Sequence, residues 1–136
     1  MFCKVLTTMQ KIFLGKKLVA IKASLKSVRD GTHPLSLPDD ALQIMTMKRP
    51  KSYVAKAHRH IPKRRITELL QECLIVVKGK VRFDLFDSRE KLFKKVLVRE
   101  GEAMLILEVA HEVRYLEDTL AYELKNGPFI DDKQFL

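Results

Sequence analysis

The feature that most constrains this chain is its second half. From Glu68 to Lys125, short runs of alternating or wholly apolar residues are cut every few positions by charged or glycine-bearing turns. Segments 68–77, 80–87, 92–99, 103–107, 112–116 and 119–125 read as strands. Lys78-Gly79 reads as a two-residue turn between the first two, with glycine supplying the positive φ that such turns use. Short strands at this spacing build a sandwich or a barrel, so an all-β fold is expected.

The first half is patterned more loosely. Segment 11–21 reads as a β-hairpin arm turning at Gly15-Lys16-Lys17. Segment 20–28 offers a short helix instead, with Ile21, Leu25 and Val28 at i, i+4 and i+7; it is the chain's one helical candidate. Asp30-Gly31-Thr32-His33-Pro34 reads as a turn that leaves His33 at the surface. A Pro-punctuated loop, 35–40, leads to a buried strand, 41–47, that stops at Arg49-Pro50. Segment 53–60 reads as a strand with Val54, Lys56, His58 and His60 on one face. At 136 residues and 46% apolar, the chain suits one domain with one core. Its expected parts are an arm and loop (1–40), a barrel (41–126) and a tail (127–136).

Charge is unevenly placed. The formal net charge is +9. Residues 1–67 hold fifteen Lys/Arg and three acids, net +12; residues 68–136 hold eleven Lys/Arg and fourteen acids, net −3. A basic half attracts something anionic. No nucleic-acid motif accompanies the charge, so a solvated lysine-rich surface is preferred to nucleic-acid binding. The two cysteines, Cys3 and Cys73, have no metal-knuckle or disulfide-framework spacing, which suits a reducing compartment. Lys4, Lys11, Lys16 and Lys17 interrupt the N-terminal apolar patches, so neither a signal peptide nor a membrane span is expected and the cytoplasm is the default. Met9 is an alternative start to Met1.

The chemistry-bearing residues are few. On a strand, His58 and His60 at i and i+2 point their imidazoles to one side. Glu72 is a charge inside the apolar run Leu69-Leu70-Gln71-Glu72-Cys73-Leu74, and an ionised carboxylate in a barrel needs a compensating cation. Glu68 shares its strand parity and is the rival carboxylate, whereas Cys73 points the other way, into core. His111 follows 104–107 and can face a barrel mouth. Imidazole and carboxylate together suit Fe, Mn, Ni or Zn. Around them, Lys56, Arg59, Lys63, Arg64 and Arg65 belong to a segment, 48–65, with eight Lys/Arg and no acid. Tyr53 and Tyr122 are pocket or core candidates.

These residues resemble the cupin family, small β-barrels that usually hold one metal. The first cupin motif has a His-x-His pair, then a Glu, six residues and a Gly. Here stand His58-x-His60, then Glu72, six residues and Gly79. Eleven residues separate His60 from Glu72, where the family usually has three or four. The second motif opens with Gly and ends near a His, as do Gly101 and His111. Glu123 to Phe129 resembles the closing strand of small bacterial single-domain cupins of unassigned function. The resemblance implies a double-stranded β-helix, or jelly roll, with an N-terminal β arm and at most one short helix. It implies a divalent metal on His58, His60, Glu72 and His111. Arg59, Arg64, Tyr53 and Glu68 are the substrate-binding candidates. The implied function is a metal-dependent enzyme, an oxygenase or isomerase for example, acting on a small polar or anionic metabolite. The alternatives are a non-catalytic sensor or storage module and, third, a basic protein touching nucleic acid. The N-terminal arm and a free sheet edge suggest a homodimer.

Overall fold

In a computed structural model, residues 9–136 are described, and they form ten β-strands and no helix. In chain order these are β1 (Met9–Leu14), β2 (Lys17–Ser24), β3 (Gly31–Pro34), β4 (Met45–Lys48), β5 (Glu72–Lys78), β6 (Lys80–Phe86), β7 (Leu92–Arg99), β8 (Glu102–Ile106), β9 (Ala110–Tyr115) and β10 (Leu120–Lys125). They assort into a five-stranded sheet of order β1-β2-β8-β5-β10, a three-stranded sheet of order β7-β6-β9 and the pair β3-β4. Every pairing is antiparallel. Cys3 lies outside the described residues, as does Met1.

The period-two pattern explains why the two larger sheets meet. Leu74 and Val76 on β5, Val81, Phe83 and Leu85 on β6, Val96 and Val98 on β7, and Met104 and Ile106 on β8 are buried in one cluster. These inward rows shed water against one another, as in a sandwich core. The five-stranded sheet is apolar on its other face too. There Ile21, Cys73, Leu105 and Leu107 are buried, with Leu42 and Ile44 packed against them. Among the described residues no helix is long and apolar enough to cross a membrane. The all-β expectation holds.

Several local expectations need correction. Segment 20–28 is not a helix: β2 lies between β1 and β8 and buries Val19, Ala20 and Ile21 on both its faces. A continuous apolar run in a central strand mimics helical spacing. The 30–34 turn is instead strand β3, with Pro34 at its end on an edge, where a missing N–H costs little. His33 is accordingly on a strand, its Nε2 3.0 Å from the Asp30 carbonyl. The expected strand 41–47 shifts to Met45–Lys48. Its first half is held as loop: Leu42 N donates to Gln71 Oε1 at 2.9 Å, and Gln43 Nε2 donates to the Leu37 and Asp40 carbonyls at 2.8 Å.

Lys78-Gly79 does not close a hairpin, because β5 and β6 belong to different sheets. Gly79 is the corner between them, at φ +102. A Cβ there would lie 2.5 Å from the Asp118 carbonyl oxygen and 2.6 Å from Thr119 Oγ1. Glycine is required by close approach as well as by φ.

The largest departure is the segment between β4 and β5. Among the described residues, 49–70 pair with no strand. Glu68, expected inside a strand, precedes β5 and is exposed. The expected strand at 53–60 is an extended stretch with every residue exposed. Alternation marks a strand only where a neighbouring edge takes its N–H and C=O groups, and among the described residues none does here. We refer to this segment as the arm.

Candidate functional site

β5 sends Cys73 and Ile75 to the outer face and Leu74 and Val76 to the core. Glu72, the first residue of β5, continues the inward row. In β9, His111 lies opposite Leu85 of β6 and Val113 opposite Phe83, so His111 shares their inward face. The two rows converge at one end of the sandwich, and His111 Nε2 stands 2.5 Å from Glu72 Oε1. His111 Nδ1 donates to the Val109 carbonyl at 3.0 Å, which fixes the ring and aims Nε2 at the carboxylate. Lys125 is the ladder partner of Glu72, and its Nζ is 3.5 Å from Glu72 Oε2 and 3.7 Å from Glu123 Oε2. The Glu72 and His111 side chains are 16% and 24% exposed, enough for access at a mouth and little enough for a strong interaction.

The electrostatics follow from this packing. The hydrogen bond from His111 lowers the Glu72 pKa; burial opposes it, and the charges of His111 and Lys125 reinforce it. Burial alone would lower the His111 pKa, but the Glu72 carboxylate and the Val109 carbonyl more than offset it, and the net direction is up. Both imidazole nitrogens face acceptors, an arrangement that favours the protonated ring. Cys73, on the outer face, is pushed up to about 11 by burial and is an inert core thiol.

Of the four expected ligands, the structure brings together Glu72 and His111. His58 and His60 sit on the exposed arm, with ring centroids 5.1 Å apart and His58 Nδ1 2.8 Å from the Lys56 carbonyl. Among the described residues, no three His, Cys, Asp or Glu converge on a common point. Tyr53 is exposed, with the Arg49 guanidinium 4.7 Å from its ring centroid, and Tyr122 is exposed on β10 rather than in the core. Arg59, His60, Ile61, Lys63 and Arg65 surround a concavity of about 280 Å³ on the arm; Arg64 is exposed beside it. An apolar cleft of about 150 Å³ lies between β2, β8 and the 35–46 stretch, lined by Leu25, Leu35, Ile44 and Ile75 among others. Glu102 at its side is satisfied by Lys22 at 3.2 Å and by the Arg99 N–H at 2.8 Å. Neither space includes Glu72 or His111.

Sequence reasoning passed over Lys125 and Glu123. Their place beside Glu72 follows from the β5–β10 register, and a chain read in order carries no signal for which strands become neighbours. What fold and site define together is an all-β domain, built on two larger packed sheets, with a carboxylate–imidazole–ammonium cluster at one end. No protein-family model, curated protein or solved structure matches this chain.

Proposed function

We propose that Glu72 and His111 are the preformed half of a divalent transition-metal site in a cupin-type double-stranded β-helix. The observation that carries this reading is the convergence of an inward carboxylate and an inward imidazole from two different sheets, 2.5 Å apart. Imidazole nitrogen and carboxylate oxygen are donors suited to Fe, Mn, Ni or Zn. The Val109 carbonyl supplies the outer partner that metal-bound histidines usually have. In the metal-free chain a proton sits between the two donor atoms, and losing it frees both. His58 and His60 would complete the set. Eleven residues separate His60 from Glu72, an extended span of roughly 40 Å, so chain length does not keep them away.

Such an ion, when bound, supplies Lewis acidity or oxygen activation. The protein's own part is to orient and to bind. The Val109 carbonyl holds the His111 ring. Lys125 offers an ammonium beside the site, and Arg59 and Arg64 add positive charge on the arm, so the ligand is a small anionic metabolite. An enzyme of the reducing cytoplasm fits these features. A second reading, a ligand-binding module without turnover, is favoured by one observation: among the described residues every buried side-chain polar atom already has a partner. Metal analysis of tag-free protein tests the metal site that the first reading requires. About one equivalent of a transition metal after reloading is expected; below about a tenth of an equivalent, the metal reading fails. Glu72→Gln and His111→Ala should each abolish loading while leaving the β-type circular dichroism unchanged.

A further inference from the structure

Among the described residues the arm carries apolar side chains that are largely uncovered. Val54, Ile61 and Ile66 are 74%, 72% and 69% exposed. Residues 54–66 make only local hydrogen bonds among the described residues, such as Arg65 to the Lys63 carbonyl. The arm is tied at its ends instead, where Arg49 donates to Thr32 Oγ1 and Asn126 Nδ2 donates to Thr67 Oγ1. A monomer gains nothing by exposing this much apolar surface on an extended strand.

The same molecule has an unfilled place for a strand. β9 and β10 end their sheets. They lie on one side of the sandwich, because His111 and Lys125 both reach Glu72. Among the described residues, no strand pairs with the outer edge of β9 or of β10. Tyr115 beside that opening is exposed, as are Leu120 and Tyr122. An open edge is a template for pairing. Charge agrees in sign: residues 110–125 hold four acids, one Arg and one Lys, with Glu112, Glu117 and Glu123 paired to Arg114, Lys80 and Lys125, against eight Lys/Arg and no acid in 48–65.

We infer that the arm of one copy adds as a strand to the β9 edge of a second copy, so that the dimer is formed by reciprocal arm exchange. The period of two that makes no strand within one chain then has its ladder, with His58 and His60 on one face. His111 is on the edge strand itself, so the second copy's Glu72–His111 pair lies beside the incoming histidines. A single chain holds half of the site and the dimer holds two whole ones. The part concerning histidine delivery rests on the metal reading above; the exchange itself does not.

Two measurements on the full chain test this. Sedimentation at tens of micromolar should give a dimer. Val54→Ser with Ile61→Ser and Ile66→Ser should give a monomer with an unchanged circular dichroism spectrum. A wild-type monomer, or a dimer indifferent to these substitutions, overturns the exchange. For delivery, H58A/H60A and E72Q/H111A are each expected to lose zinc. Co-expressed, they should recover about a quarter of the wild-type zinc, since half of randomly paired dimers are mixed and each mixed dimer has one whole site of two. No recovery in a zinc-binding wild-type dimer means that each chain uses its own arm, and delivery between copies is wrong. If the wild type itself binds none of Fe, Mn, Ni or Zn after reloading, the metal reading falls, while sedimentation still decides the exchange.

Discussion

Glu72 and His111 form a pair whose value depends on pH from both sides. Folding lowers the Glu72 pKa, so its contribution is present above the unfolded value of 4.5 and fades as pH falls through the folded one. Folding raises the His111 pKa, so its contribution is complete below the unfolded value of 6.5 and fades as pH rises through the folded one. The pair therefore stabilises most between those two values. In chelator-treated protein, Tm should be higher near pH 5.5 than near pH 8.5, and Glu72→Gln should flatten that difference. Glu72→Gln should also cost about 1.5–3 kcal/mol near pH 5.5, the usual worth of a hydrogen bond to a charged group. Thermal melts of the two proteins across that range check both statements; equal slopes would show that the pair carries no such linkage. Glu72 was legible in the sequence because a carboxylate in an apolar strand needs a reason. Its partner was legible only as a histidine near a strand end. The reason they meet is register, Leu85 opposite His111 in one sheet and Lys125 opposite Glu72 in the other.

At the scale of elements, the sequence located most strands of the second half within a few residues and mistook how they connect. The alternation of 80–87 is local and readable. That β5 and β6 enter different sheets is not, because Lys78-Gly79 suits a tight turn and a sheet corner equally. The corner makes a sharp prediction. Gly79→Ala should destabilise by about 2 kcal/mol or more, from positive-φ strain joined to contact with the Asp118 carbonyl. Gly15→Ala is the control: φ is +61, nothing lies within 4 Å of its Cβ, and about 1 kcal/mol is expected. Urea unfolding of both variants measures the contrast, and equal losses would mean that φ alone matters. The base of the arm offers a second test. Asn126 Oδ1 accepts from the Gln71 N–H at 2.7 Å, and its Nδ2 donates to the Leu69 carbonyl at 3.2 Å. Asn126→Ala should cost about 1–3 kcal/mol by orphaning these groups. It should also speed tryptic cleavage at Lys63, Arg64 and Arg65, because the arm loses its tie beside β5; an unchanged cleavage rate would place the tie elsewhere.

For the whole molecule the governing fact is the split of charge, +12 in the first half against −3 in the second. Like charges repel within an arm of seven Lys/Arg and one acid, which favours its extension. The same charges are attracted to a flank that holds Glu112, Glu117, Asp118 and Glu123. If that attraction contributes to arm exchange, association must answer to salt. Between 0.05 and 0.5 M NaCl the screening length falls from about 14 Å to about 4 Å, which silences exposed charges that are not in contact. The dimer dissociation constant should then rise about tenfold or more, because several exposed pairs weaken together at well under a kcal/mol each. An interface held by Val54, Ile61 and Ile66 alone would respond the other way or not at all, since salting-out strengthens apolar burial. Sedimentation equilibrium across that salt range reads the sign directly. A constant that falls as salt rises would leave the apolar residues as the whole of the attraction and remove the charge split from the account of why two copies meet.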